Sequence, residues 1–173
     1  GNVLNTNGSV LHIFKNQIAN NLPLTITSKD MSRFFITMSQ AVDLCLHAGN
    51  NMIGGEIFVS GMGCCNIMSL ARAFVGKKSF DYKIIGEKPG EKSYEELVTE
   101  TEAQRTVCDE NLYTIIPDSL DVMPSGIVDS YMKAFDNAPR LSGPLRSDQD
   151  MLTEPEIRWM LQSVGNFEDN SAD

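Results

Sequence analysis

The chain has 173 residues, with 14 basic and 23 acidic side chains, so its formal net charge is −9. This acidic balance argues against nucleic acid or an anionic membrane as the main partner, because both favour clusters of Lys and Arg. No apolar run approaches the roughly 20 residues that a membrane span needs, and the uncharged start of the chain is unlike a signal peptide. A chain of this length buries roughly 70% of its unfolded surface, enough for one core.

Short strands and helices alternate through the first 117 residues. Apolar residues at helical spacing predict a helix over 10–18, with Ser9 as its N-cap. Strands are predicted at 24–27, 34–36, 56–59 and 82–85, and further helices at 39–48, 66–75 and 94–98. The helix over 66–75 follows a predicted turn at 61–63. In the helix over 39–48 the residues predicted to share one side are Ala41, Val42, Leu44, Cys45 and Ala48. This order of elements predicts an α/β fold with mixed α+β character.

Proline and glycine punctuate the chain after Pro117. Only 127–135 and 154–164 have helical patterns there, so we expect this region to be an arm that wraps the first part. The last residues, 166–173, are polar and acidic, and we expect them to be disordered.

The cysteines point to a reducing compartment, which predicts a cytoplasmic protein. They are Cys45, Cys64, Cys65 and Cys108. No CxxC pair is present and the chain has two histidines, His12 and His47, so we predict no metal site. Free thiols are the simpler interpretation, and a redox role is the alternative.

The first nine residues form a segment of small polar residues directly before a helix. Such a loop can offer backbone N–H groups and amide side chains to a phosphate or ribose at the helix N-terminus. The alternative is a surface loop that only caps the helix, and the residues alone favour that alternative.

A second candidate segment, 86–92, lies between a predicted strand and a predicted helix. Its Pro-Gly pair predicts a tight turn that projects Lys88, Glu91 and Lys92. A lysine there could neutralise a diphosphate, and Glu91 could accept hydrogen bonds from sugar hydroxyls. The alternative is a solvated turn of mixed charge. Arg33 could bind an anion or brace a turn.

Several stretches carry a resemblance to one family. They are Gly1-Asn-Val3, Gly8-Ser-Val10, Leu24-Thr-Ile-Thr27, Met31-Ser-Arg-Phe-Phe35, Gly54-Gly-Glu-Ile-Phe-Val59, Ile85-Gly-Glu-Lys-Pro-Gly-Glu-Lys92 and Tyr94-Glu-Glu-Leu97. In this order they resemble bacterial nucleotide-sugar 4,6-dehydratases, including dehydratase/5-epimerases that act on UDP-N-acetylglucosamine in polysaccharide and surface-glycan synthesis. These enzymes are extended short-chain dehydrogenase/reductases. The dense similarity covers 1–117, and a late stretch over 145–149 looks like the family's substrate loop.

The resemblance implies the C-terminal, substrate-binding portion of such a Rossmann-type enzyme, without the N-terminal cofactor-binding βαβ units. It implies a substrate-binding domain over 1–117, which includes the end of a cofactor-domain strand, and a C-terminal arm and helix over 118–165. The family uses NADP. This sequence contains neither the family's glycine-rich cofactor loop nor its Tyr-x-x-x-Lys pair, so we expect the chain alone to bind no NADP and to be inactive.

The resemblance also assigns site residues position by position. It implies contacts with the nicotinamide end of NADP for Val3, Leu4, Asn5, Thr6 and Asn7. It implies substrate contacts for Asn2, Val10, Thr27, Lys88, Glu91, Arg146, Ser147, Asp148 and Gln149. It implies no catalytic residue and no metal ligand. The expected partners are a UDP-sugar, a separate cofactor-binding domain and a second copy of the chain.

Three positions depart from the family pattern. Asn5-Thr6-Asn7 replaces a typical Gly-Ser-Arg, which removes a cation beside the cofactor, and 62–66 replaces a Pro-Ser-Met-Lys-like run. Lys88 replaces an arginine and loses the planar fork that binds phosphate oxygens in pairs. A non-catalytic nucleotide-sugar-binding or assembly module is the alternative function, and an unrelated complete enzyme is a third.

Overall fold

The computed structural model describes residues 1–77 and 79–165. The chain divides into two compact units, each built from separate segments. Among the described residues, unit 1 comprises Gly1–Met38, Gly63–Glu95 and 147–165, and unit 2 comprises Ser39–Met62 and Glu96–Arg146. The domain division at residue 117 stays a prediction, and the predicted tail over 166–173 lies outside the described residues.

The elements are short. The helices are α1 (Val10–Ala19), α2 (Met38–Asn51), α3 (Ile67–Val75), α4 (Glu100–Ala103), α5 (Ser125–Phe135) and α6 (Glu154–Ser163). The strands are β1 (Asn2–Val3), β2 (Leu24–Ile26), β3 (Ser32–Ile36), β4 (Ile57–Ser60), β5 (Gly63–Asn66), β6 (Tyr82–Ile84), β7 (Glu96–Val98), β8 (Thr106–Asp109), β9 (Leu112–Ile115) and β10 (Leu145–Arg146). A 3₁₀ turn covers Leu120–Val122.

Unit 1 contains two small sheets. In one, β1 pairs parallel with β3, and β3 pairs antiparallel with β5. In the other, β2 and β6 are parallel, with Leu24 opposite Tyr82 and Ile26 opposite Ile84. The parallel pairing puts the carboxyl ends of β2 and β6 at the same edge of their sheet.

Helices α1, α3 and α6 supply the apolar core of unit 1. Phe14 of α1, Leu70 of α3 and Ile157 of α6 are completely buried in one cluster, together with Ile26 of β2. Burying an aliphatic or aromatic side chain of this size contributes roughly 1.5 to 3 kcal/mol each. Most of the stability of these short helices therefore comes from packing and not from helix propensity.

Unit 2 is built around an antiparallel sheet in the order β4-β9-β8. Strands β7 and β10 form a separate antiparallel pair. A polar contact joins α5 to the turn before β4: the Tyr131 hydroxyl lies within hydrogen-bonding distance of the Glu56 carboxylate and of the Gly54 carbonyl oxygen. Tyr131 is buried and Glu56 is half-buried, so this contact is partly shielded from water.

The predicted α/β class with mixed α+β character is confirmed. The helices predicted over 10–18, 39–48, 66–75, 127–135 and 154–164 and the strands predicted at 24–27, 34–36, 56–59 and 82–85 are all present, with ends that differ by a few residues. Ser9 occupies the N-cap position of α1, but its hydroxyl makes no capping hydrogen bond.

Two local expectations were wrong. Residues 96–98, predicted as helix, form β7, because they pair with β10 almost fifty residues later in the chain. The predicted turn at 61–63 leads first into β5, and α3 begins only after Asn66. The side of α2 that carries its apolar residues is not buried: Val42 and Cys45 are exposed, whereas Leu44 and Ala48 are half-buried.

Candidate functional site

A large open pocket lies in unit 1 at the N-terminus of α1. Its volume is about 440 Å³, which lies within the roughly 300–1,000 Å³ of small-molecule and cofactor sites. The structure brings seven of the predicted site residues together in its wall: Asn2, Val3, Leu4, Thr6, Asn7, Val10 and Thr27.

The loop before α1 is held by a tight turn. The Thr6 hydroxyl donates to the Val3 carbonyl oxygen at 3.0 Å, and the Ser9 N–H donates to the Thr6 carbonyl oxygen at 2.9 Å. Gly8, with φ of 78°, supplies the left-handed conformation that this turn requires. The loop therefore places the N-terminus of α1 at the pocket wall. Because the first N–H groups of a helix lack intrahelical partners, this position favours an anion.

Strand β2 contributes the opposite wall. Its alternation buries Leu24 and Ile26 in the core and turns Thr25 and Thr27 towards the pocket. Gln17 of α1 fixes Thr25 in two ways: its amide donates to the Thr25 hydroxyl at 2.8 Å and accepts from the Thr25 N–H at 3.1 Å. A small polar face is thus presented between apolar neighbours.

Arg33 of β3 is the one charged residue among the described residues that line the pocket. Its guanidinium makes ion pairs with Glu91 at 3.6 Å and with Glu95 at 3.4 Å. It also donates to the Ser32 carbonyl oxygen at 2.8 Å. The side chain is only 12% exposed, so this cation is held in place rather than extended into water.

The loop over 86–92 begins beside Thr27, because the Gly86 N–H donates to the Thr27 carbonyl oxygen at 3.1 Å. The predicted tight turn is confirmed: the Glu91 N–H donates to the Lys88 carbonyl oxygen at 2.9 Å, and Gly90 has φ of 83°. Lys88 is exposed and neither Lys88 nor Glu91 lines the pocket wall. Their substrate contacts stay predictions.

The remaining predicted residues lie outside the pocket wall. Asn5 has a left-handed backbone with φ of 57°, and its side-chain amide donates to the Val164 carbonyl oxygen at 3.2 Å. Asn5 lines a much smaller cavity of about 50 Å³. Its contact with the cofactor stays a prediction.

The four predicted residues over 146–149 differ in their position and burial. Arg146 belongs to β10 in unit 2. Ser147 is completely buried, and Asp148 and Gln149 are exposed. The Gln149 carbonyl oxygen accepts a hydrogen bond from the Cys64 thiol at 3.0 Å. The substrate contacts of these four residues stay predictions as well.

The adjacent cysteines of β5 are poor candidates for reactive thiols. Burial, followed by the neighbouring Cys64, raises the pKa of Cys65 to about 12. Burial, followed by the charges of Asp150 and Asp148, also raises the pKa of Cys64. Since the thiolate is the reactive form, both thiols stay protonated and unreactive at neutral pH. Among residues 1–77 and 79–165, no group of three or more His, Cys, Asp or Glu side chains is placed to hold a metal ion.

Arg33 is the functional candidate that the sequence left undecided. Its motif suggested either an anion contact or a structural brace. The structure places Arg33 in the pocket wall and pairs it with Glu91 and Glu95, and the anion contact stays a prediction. The alternation of β2 is the signal that could also have identified Thr25 as a pocket residue. No helix in the described part of the chain is both long and apolar enough to span a membrane.

The fold and the comparisons with known proteins define a fragment of an extended short-chain dehydrogenase/reductase. Residues 1–117 match the model of a family described as polysaccharide biosynthesis protein. The chain belongs to this family.

Individual relatives agree with this assignment. The chain is 38% identical over 144 residues to the capsular polysaccharide biosynthesis protein CapD of Staphylococcus aureus. The aligned region covers 77% of this chain and 24% of CapD. It is 40% identical over 124 residues to a UDP-glucose 4-epimerase of Rickettsia bellii, covering 70% of this chain and 36% of the epimerase.

A solved structure shows the same fold. The X-ray structure of Pen from Bacillus thuringiensis superimposes with a TM-score of 0.76 at 34% identity, covering 94% of this chain and 48% of Pen. The chain thus spans about a quarter to a half of the length of these proteins.

Proposed function

We propose that this chain binds a nucleotide sugar of the UDP-N-acetylglucosamine type, as the substrate-binding portion of a 4,6-dehydratase/5-epimerase of polysaccharide or surface-glycan synthesis. The observation that carries the proposal is the position of Arg33. One partly buried cation lies in the wall of a pocket that also receives the N-terminus of α1. A diphosphate is the part of a nucleotide sugar that such a pair of positive groups recognises.

The other walls suit the remainder of such a ligand. Asn2, Asn7 and Thr27 offer hydrogen-bonding groups for hydroxyls and amides. Ile13, Ile67 and Ile85 offer apolar surface for a ring face. A mostly apolar pocket with a few polar groups and one charge is the usual composition of a small-molecule site.

The residues that the chain offers to NADP do not form a dinucleotide site by themselves. Of the stretch over 3–7, Asn5 is bonded to Val164 rather than directed to the pocket. Asn7 brings an amide where the resemblance implies an arginine, and Arg33 is the one cation among the described residues that line the pocket. We therefore assign substrate binding to this chain and derive no hydride-transfer step from it, and we expect the chain alone to be inactive.

Isothermal titration of the 173-residue chain with UDP, UDP-N-acetylglucosamine and UDP-glucose tests the proposal. We expect all three to bind, and Arg33→Ala to weaken them roughly tenfold or more, because hydrogen bonds to charged groups contribute about 1.5–3 kcal/mol. Lys15→Ala, an exposed cation outside this pocket, is the control. If none of the three ligands binds to the folded wild type, the proposal is wrong.

A second function, an assembly module, is favoured by a different observation. No residue of α2 is buried, and its large apolar side chains Val42 and Leu46 are 49% and 61% exposed. Exposed apolar surface of this kind usually marks a contact with another protein, here a separate cofactor-binding domain or a second copy of the chain. Light scattering with the wild type and Leu46→Lys tests it: a monomer in both cases contradicts self-association. The cytoplasmic location stays a prediction.

A further inference from the structure

Glu91 was expected to accept hydrogen bonds from a sugar, but its carboxylate is engaged with this chain. We infer that Glu91 is a positioning residue that holds Arg33 at the diphosphate end of the pocket. The inference rests on the proposed function, because it concerns the same site. Glu91 thus affects ligand binding by holding Arg33 and not by contacting the ligand itself.

The two oxygens of Glu91 have two different partners. One accepts a hydrogen bond from the Lys88 backbone N–H at 2.9 Å, which closes the turn of the loop over 86–92. The other lies 3.6 Å from the terminal guanidinium nitrogen of Arg33. The carboxylate therefore ties the loop that carries Lys88 to the strand that carries Arg33. Glu91 therefore contributes to the relative position of both cations.

A second carboxylate restrains the same guanidinium from another direction. Glu95 lies 3.4 Å from the Nε atom of Arg33, and its backbone is fixed by the buried Ser147. The Glu95 N–H donates to the Ser147 hydroxyl at 2.9 Å, and the Ser147 N–H donates to the Glu95 carbonyl oxygen at 2.9 Å. Ser147, expected to touch the substrate, thus also acts on the surroundings of Arg33.

The geometry favours positioning over simple charge balance. An arginine side chain has many rotamers, so a ligand that binds a mobile arginine must also immobilise it, at a cost in entropy. Contacts to Nε, Nη1 and Nη2 fix the plane of the guanidinium in advance. Two carboxylates beside one guanidinium also lower the local positive potential. The two effects predict opposite results when the charge of Glu91 is removed.

Glu91→Gln in the 173-residue chain separates these possibilities. The amide oxygen of glutamine can still accept a hydrogen bond from the Lys88 N–H, so the turn remains. The amide NH₂ then faces the guanidinium of Arg33, and because both groups are donors, the contact that held the guanidinium is lost. We expect the dissociation constants of UDP and of UDP-N-acetylglucosamine to rise by the same factor, roughly 3- to 10-fold. Binding of uridine, which has no phosphate, should not change.

The matched control is Glu87→Gln, an exposed residue of the same loop, which should leave all three ligands unaffected. In an Arg33→Ala background, Glu91→Gln should have no further effect on UDP, because the residue through which it acts is gone. Circular dichroism and thermal unfolding of each variant exclude a loss of folding as the cause.

Three results would overturn the inference. Weaker binding of UDP-N-acetylglucosamine with unchanged UDP would make Glu91 a sugar contact. Tighter UDP binding would make it a counter-charge, and an equal loss in the Arg33→Ala background would give it an independent role. A wild type that binds no UDP would instead refute the proposed function, and this inference with it.

Discussion

Replacing Tyr131 with phenylalanine removes one oxygen from a partly buried contact and leaves the ring in place. The ring packs against Phe135 with centroids 6.1 Å apart, and that contact remains. The substitution removes the hydrogen bonds from the Tyr131 hydroxyl to the Glu56 carboxylate and to the Gly54 carbonyl oxygen. Glu56 keeps the backbone N–H groups of Ile53 and Gly54 as donors.

The expected cost is about 2 kcal/mol at pH 7, because a hydrogen bond to a charged group contributes about 1.5–3 kcal/mol and the carboxylate stays partly satisfied. For a chain of this length the melting temperature should fall by roughly 4–8 °C. Urea unfolding and calorimetry measure both quantities. Tyr82→Phe, at a tyrosine that is 41% exposed, is the control and should change little.

The same contact predicts a pH dependence. Burial tends to raise the pKa of Glu56, but the hydrogen bonds from Tyr131 and the backbone outweigh it and lower the pKa below its usual 4.5. A lowered folded-state pKa stabilises the protein above the unfolded pKa, and this contribution is lost as the pH falls through the folded value. The difference between wild type and Tyr131→Phe should therefore narrow below pH 4.5. Equal stability at pH 7, or a difference that does not narrow in acid, would refute this account.

Three further substitutions or modifications test other parts of the structure. Ser147→Ala should lower the free energy of unfolding in urea by about 1–3 kcal/mol, because the Glu95 N–H and the Ser32 hydroxyl lose the Ser147 hydroxyl as their partner. Gly61→Ala should destabilise the protein by about 1–3 kcal/mol, since a Cβ atom there would lie 2.9 Å from the backbone oxygen of Asn111; unchanged thermal unfolding would contradict the close approach. Iodoacetamide at pH 8 should label the exposed Cys45 first and Cys65 only after unfolding, because burial raises the pKa of Cys65 to about 12; mass spectrometry of the modified peptides would show the order, and early labelling of Cys65 would contradict it.

The sequence predicted the helices and strands whose patterns lie within a few consecutive residues. Helix α1 has apolar residues at helical spacing, and β2 alternates between core and pocket. The β8–β9 hairpin was not predicted, because Glu110 occupies its turn with φ of 49°, a position where glycine or asparagine would have marked it. Strand β7 was missed because its partner, β10, lies far along the chain.

The candidate site divides in the same way. The pocket wall formed by Asn2 and Thr27 could be assigned from short motifs by resemblance. The role of Arg33 could not, because its ion partners Glu91 and Glu95 are distant in sequence. A motif gives the type of a residue, whereas the choice between a ligand contact and an internal contact depends on folded distances.

The discontinuous order of the two units has a consequence for synthesis on the ribosome. Unit 2 is complete once Arg146 has been made, whereas unit 1, whose first segment precedes unit 2 in the sequence, still lacks α6. Phe14 shares its buried cluster with Ile157 and Leu161, so this apolar side chain is fully covered only after α6 has been made. Residues 1–38 are therefore translated before unit 2 but become fully packed after it, and until then their apolar surface is available to chaperones.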